Sequence, residues 1–153
     1  MPNTFANLRY HIIFATKNRE PFLVPPLLER MHAYLGGCIR TIEGTPLQIG
    51  GVSDHVHLLV GLKPTHCVSD VLCTIKKAST DWARREMRCG RFHWQDGYSA
   101  FTVGRKDIET LRRYIATQTE HHRTKTFGEE YRKFLKAHGI EFDERYVLRL
   151  QCR

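Results

Sequence analysis

The residues of this chain best suited to chemistry are two histidines one position apart, in "SDHVHLLV" (53–60). In extended backbone, side chains two apart point to the same face, so His55 and His57 would set two imidazoles side by side. Adjacent imidazoles can chelate a divalent ion, although histidines also occupy half-buried strand positions without one. An ion that does chemistry needs a third ligand and an open position. Further ligands are available in "LRRYIATQTEHH" (111–122). Read as a helix, this stretch puts Tyr114 on one face with Gln118, and Gln118 with His122, while His121 is three beyond Gln118. At about 100° per residue from Ile108, Leu111 and Ile115 lie close to the starting direction, Gln118 sits at the edge of that stripe, and Tyr114 is about 40° further round. A phenol and a carboxamide thus flank a buried seam, where a reactive pair can be both held and reached. A plain amphipathic boundary tyrosine, its ring packed and its hydroxyl wet, has the same pattern.

The elements that must position these residues follow from periodicity. Residues 8–16, "LRYHIIFAT", alternate Leu8, Tyr10, Ile12 and Phe14 against Arg9, His11, Ile13 and Ala15, a first strand. After Pro25-Pro26, Leu27, Leu28, Met31, Tyr34, Leu35, Cys38, Ile39 and Ile42 recur at three and four, an amphipathic helix that ends before Gly44. "PLQIGGVS" and "HVHLLVGL" read as a hairpin turning at Ser53-Asp54. From Ser69 to Met87, the residues Val71, Leu72, Ile75, Ala78, Trp82 and Glu86 trace one face of a second helix, with basic residues gathered elsewhere. A fourth strand is expected around Tyr98 to Val103 after a turn at Asp96-Gly97.

The order βαββαβ is that of a ferredoxin-like split βαβ fold, an α+β arrangement with a four-stranded antiparallel sheet and two helices on one face. The other face needs cover or a ligand. A third helix, capped at Asp107, is expected to run through Thr124 and to carry Tyr114. A short helix around Glu129 to Ala137 and an irregular tail follow.

At 153 residues the chain reads as a single domain, 1–153. Apolar residues make up 41% and charged residues 26%, and no apolar run approaches the roughly 18 residues of a membrane span. The N-terminus lacks the pattern of a secretory signal, which places the protein in the cytoplasm. Five scattered cysteines (Cys38, Cys67, Cys73, Cys89 and Cys152), with no CxxC pair, argue for reduced thiols rather than disulfides or a zinc ribbon. The formal charge of +8 favours a polyanionic partner.

"DHVHLLV", "WQDGYSAF" and "RRYIATQTEHH", in this order and at these separations, resemble the single-tyrosine transposases of the HUH nuclease superfamily, the small enzymes of bacterial insertion sequences and their REP-associated relatives. The resemblance spans almost the whole chain, from "YHIIFATKNR" to "HGIEFDERY". It implies that His55 and His57 are the HUH histidines and that Gln118 completes a site for magnesium or manganese. It also implies that Tyr114 is the nucleophile that attacks single-stranded DNA, leaving a 5′-phosphotyrosine and a free 3′-hydroxyl, and that the protein works as a homodimer whose active sites can be shared between subunits.

The residue types suit that chemistry. A phenol with a pKa near 10 is a poor nucleophile at neutral pH, and a cation gripping the phosphate offsets the charge gathering there. A neutral His, His, Gln set leaves the ion nearly its full charge and tolerates several metals. Lys17, Arg19, Lys76, Lys77, Arg84, Arg85, Arg105, Lys106, Arg112 and Arg113 are the basic residues placed to meet phosphates or a DNA hairpin end. Trp94 and Tyr98 could stack a base or simply pack beside the sheet. His66 and Cys67 read as loop and capping residues. Two alternatives remain open: a DNA hairpin-binding protein, non-catalytic or domesticated, on the same fold, and a metal-dependent hydrolase with no covalent step.

Overall fold

The computed structural model describes residues 3–122 and 126–144. Its sheet consists of β1 (Leu8–Ala15), β2 (Thr45–Val52), β3 (His55–Leu62) and β4 (Ser99–Thr102), ordered β2-β3-β1-β4 and antiparallel throughout. The helices are α1 (Leu27–Thr41), α2 (Val68–Arg85), α3 (Ile108–Ala116), α4 (Gln118–His121) and α5 (Phe127–Ala137). The βαββαβ order and its central β1–β3 pair are those of the split βαβ arrangement. No helix among the described residues is long and apolar enough to cross a membrane.

Alternation along the two central strands sorts the molecule into two faces. Ile12, Phe14, Val56, Leu58 and Val60 turn one way and pack with Met31, Leu35 and Ile39 of α1 and Val71, Leu72 and Ile75 of α2. The intervening residues turn the other way. Since β3 pairs with β1 so that His57 lies opposite Ile13 and His55 opposite Ala15, both histidines share the second face with His11 and Ile13. That face is covered by α3, α4 and α5, and Ile13 packs there with Phe101, Phe127, Tyr131 and Leu135.

One glycine sets how closely this cover lies. A Cβ added to Gly50 in β2 would stand 2.3 Å from the carbonyl oxygen of Ile115, so α3 rests backbone to backbone on the strand. Ile115, the buried residue of α3, is thereby pressed onto the sheet, and Tyr114 and Gln118 follow from its position.

Several expected boundaries shift. The helix expected to continue through Thr124 breaks at Thr117 (φ −112, ψ 30), whose hydroxyl donates to the carbonyl of Arg113 and competes with the helical ladder. Residues 123–124 of that expected helix lie outside the described residues. In α2 the buried seam runs through Ser79 and Ala83 rather than Ala78 and Glu86, and Glu86 is exposed. The Ser79 hydroxyl explains the difference: it donates to the Ile75 carbonyl and accepts from Trp94 Nε1, so a small polar residue is satisfied inside the core. The last helix begins earlier than expected, at Phe127, because the Thr126 side chain caps the Glu129 amide. Cys38, Cys67, Cys73 and Cys89 are free thiols, and Cys152 lies outside the described residues.

Candidate active site

His55 and His57 are both fully buried, and each is tethered through Nδ1. His55 Nδ1 lies 2.7 Å from Asp54 Oδ1, and the other oxygen of Asp54 accepts from Arg19 Nε at 2.8 Å and from its Nη2 at 2.5 Å. The two-residue turn between β2 and β3 thus supplies the carboxylate that orients the first histidine. His57 Nδ1 lies 2.8 Å from His11 Nε2, on the neighbouring strand, with the rings stacked. In both histidines the Nε2 atom is left buried without a hydrogen-bond partner among the described residues. Anchoring one ring nitrogen and presenting the other is how a protein orients imidazoles as ligands.

The sequence-derived residues come together within one chain. The Tyr114 ring lies 6.0 Å from that of His57, between centroids, and 4.3 Å from that of His121. Gln118 is 2% exposed, deeper than the seam edge the helix geometry implies, because the break at Thr117 turns it inward. Its Oε1 lies 3.1 Å from His122 Nε2, and its amide donates to the Tyr114 carbonyl at 3.4 Å.

Sequence reasoning missed Glu130. This carboxylate, 2% exposed, sits between two histidines: Oε1 is 2.6 Å from His57 Nε2 and Oε2 is 2.9 Å from His122 Nε2. His11, the anchor of His57, shows in the sequence only as an alternating strand residue. A signal for both was available. Glu130 falls on the buried stripe of its helix, three residues after Phe127 and four before Phe134, and His11 shares its strand face with Ile13.

Electrostatics follow from this burial. Desolvation pulls His55 down to about 4, against the opposing pull of Asp54, so it is neutral and ligand-competent at neutral pH. Burial acts to raise the Glu130 carboxyl, but the adjacent His122 and His57 imidazoles outweigh it and hold the group well below the usual carboxylate range. Burial, and then the Glu130 carboxylate, push the Tyr114 phenol well above its ordinary value. The residues fit a divalent cation: imidazole nitrogens and a carboxylate converge in a buried site. A cavity of about 440 Å³ opens beside Tyr114, lined among others by His11, Leu111, His121, Glu130 and Phe134.

The basic residues divide. Arg19 is engaged by Asp54 and lies over the Phe127 ring, so its charge supports His55 rather than facing solvent. Lys76 donates to the carbonyls of Gln95 and Gly97, and Arg84 to that of Phe92, each pinning the segment before β4. Lys17, Lys77, Arg85, Arg105, Lys106, Arg112 and Arg113 are exposed, with Arg112 4.0 Å from Glu109. Trp94 is core, edge-on to Phe14 and Phe92, whereas Tyr98 is exposed. His66 holds its loop through Nε2 to the Ile42 carbonyl.

Comparison with known proteins bears on the family and the fold. The family described as "Transposase IS200 like" matches residues 4–118. The chain belongs to that family. Among solved structures, this IS200-like transposase is similar to a candidate transposase from Deinococcus radiodurans R1, at 25% identity and a TM-score of 0.61, over 76% of this chain and 94% of that one. It shares its fold with the REP-associated tyrosine transposase bound to a REP hairpin, at 17% identity and a TM-score of 0.60, over 78% of this chain and 72% of that one. No curated protein matches it.

Proposed function

We propose that this protein cleaves and rejoins single-stranded DNA by transesterification through Tyr114, with a divalent cation, magnesium or manganese, held at the His55–His57 face. The observation that carries the reading is the convergence in one chain of Tyr114 with two buried histidines, each anchored through Nδ1. When bound, the cation would neutralise charge developing on the scissile phosphate and orient it.

The chain's own residues do the rest. Asp54 and His11 fix the two imidazoles, and the cavity beside Tyr114 admits a phosphodiester to the phenol. Tyr114 Oη loses its proton and bonds to phosphorus while the bond to the 3′ oxygen breaks, and that oxygen takes up a proton. The products are a 5′-phosphotyrosine and a free 3′-hydroxyl. Attack by a 3′-hydroxyl on the phosphotyrosine reverses the sequence, releases the phenol and joins strands without an external energy source.

The REP hairpin in the structural neighbour, and the exposed Lys17, Lys77, Arg85, Arg105, Lys106, Arg112 and Arg113 here, support hairpin ends as the substrate. Of the other expected phosphate contacts, Arg19 leaves that set because Asp54 pairs its charge, while Lys76 and Arg84, hydrogen-bonded only to backbone carbonyls, stay in it. Because Tyr114 and the two histidines meet within one chain, a homodimer would not need to exchange helices to complete its sites. The work would take place in the cytoplasm, where the DNA is. The test is a labelled hairpin oligonucleotide incubated with protein and Mg2+ or Mn2+. A denaturation-resistant adduct is expected from the native chain and none from Tyr114→Phe; an adduct that persists in Tyr114→Phe rejects the assignment.

A further inference from the structure

The family match ends at residue 118, yet the densest group of ligand-type atoms in the described chain draws on residues beyond it. One ligand atom each from His55, His122 and Glu130 lie within 4.8 Å of one another. Metal–nitrogen and metal–oxygen bonds of about 2.0–2.2 Å would close such a group with small side-chain movements. The atoms are also costly where they stand. Nε2 of His55 is buried with no hydrogen-bond partner among the described residues, and the Glu130 oxygens are met by His57 Nε2 and His122 Nε2. A buried carboxylate among converging imidazole nitrogens is a donor set that a divalent cation takes.

Gln118 is differently placed. Its carboxamide oxygen is turned to His122 Nε2 and its nitrogen to the Tyr114 carbonyl, so both ends are engaged within the helical segment. We propose that Glu130 and His122, with His55, form the ion-holding set of this protein, with α5 supplying the anionic ligand, and that Gln118 positions His122 rather than binding the ion itself. This rests on the cation site of the preceding reading and revises its membership. His57, 2.6 Å from Oε1 of the same carboxylate, holds that carboxylate from the sheet side without joining the set.

The chemistry of the set has a consequence for the ion. Two imidazoles and one carboxylate suit Mn2+, Fe2+, Co2+ or Zn2+ better than Mg2+, which prefers oxygen ligands and keeps its waters. The carboxylate also removes one unit of charge from the ion that a neutral set would leave. Binding therefore fastens α5 to β3 through the ion and makes the last helix part of the metal site.

Titration of the full chain with Co2+ alone, followed by visible absorption, tests this without reference to DNA cleavage. Glu130→Gln is expected to weaken Co2+ binding by about tenfold or more and to change the ligand-field bands, whereas Gln118→Ala leaves the bands in place and shifts affinity by less than about threefold. Glu130→Asp, which keeps the charge on a shorter arm, should recover part of the affinity. Should Glu130→Gln melt below the assay temperature in chelator, His122→Gln reads the same bands. Unchanged bands and affinity in Glu130→Gln or its substitute, together with their loss in Gln118→Ala, would overturn the proposal and leave the histidine site standing. Binding indifferent to His55→Ala as well would remove the cation site altogether.

Discussion

The two faces of one sheet are built on opposite principles. Against α1 and α2, the inward residues of β1 and β3 are Ile12, Phe14, Val56, Leu58 and Val60, and the few polar groups in that layer, such as Ser79 and the Trp94 indole, satisfy each other. Against α3 to α5, the same two strands present His11, His55 and His57 to Gln118 and Glu130, all at most 2% exposed. Burying polar groups costs free energy unless each finds a partner, and several atoms on this side find none among the described residues. The first face therefore carries the stability that lets the second hold a buried polar cluster in place. A strand with period 2 can serve both ends at once, since every other residue belongs to a different task.

Mutating the same strand on its two sides should separate these roles. Leu58→Ala, on the apolar side, is expected to cost about 2–5 kcal/mol in chemical denaturation, because it opens a cavity among fully buried side chains. Acidification should act through the other side. His55 and His11 both have folded values below their unfolded ones, so the unfolded chain binds more protons and stability is lost as pH falls. In metal-free protein the melting temperature should be level above about pH 6.5 and decline as pH falls toward about 4, the value for His55. A melting temperature that holds through that window would show the imidazoles to be solvated.

Arg19→Ala probes the tether of the first histidine. Removing the guanidinium leaves Asp54 to hold His55 alone, and divalent-ion affinity measured by calorimetry should drop by about 10–100-fold with little change in the apolar core. The smallest effect belongs to the exposed charges. Lys77→Ala should weaken hairpin binding about equally for all sequences and lower the salt slope by about one, with unfolding unaffected. A sequence-selective loss there would mean that Lys77 touches a base.

Legibility in the sequence follows the same division. Period-2 and period-3.6 patterns sufficed for β1, α1, the β2–β3 hairpin and the βαββαβ order, because those elements bury clean apolar stripes. The shared face of His55 and His57 came from strand geometry alone. The break at Thr117 was not legible, since the competing hydrogen bond from its own hydroxyl leaves no mark in the hydrophobic pattern. Glu130 is hard to read because a glutamate in "FGEEYRKFLK" looks like a solvated face, and only its place between Phe127 and Phe134 betrays burial. His11 and the Arg19–Asp54 pair needed tertiary proximity: their partners lie 46 and 35 residues away.

The backbone contact at Gly50 has a meaning for how such a protein changes over time. Where a helix is seated by its main chain on a bare strand, the clearance does not depend on the outward side chains of that helix. Under the proposed function, Arg112, Arg113 and their neighbours could be exchanged as the nucleic acid diverges, while the phenol keeps its station above the histidines. Target choice and bond-making chemistry could then evolve on separate schedules.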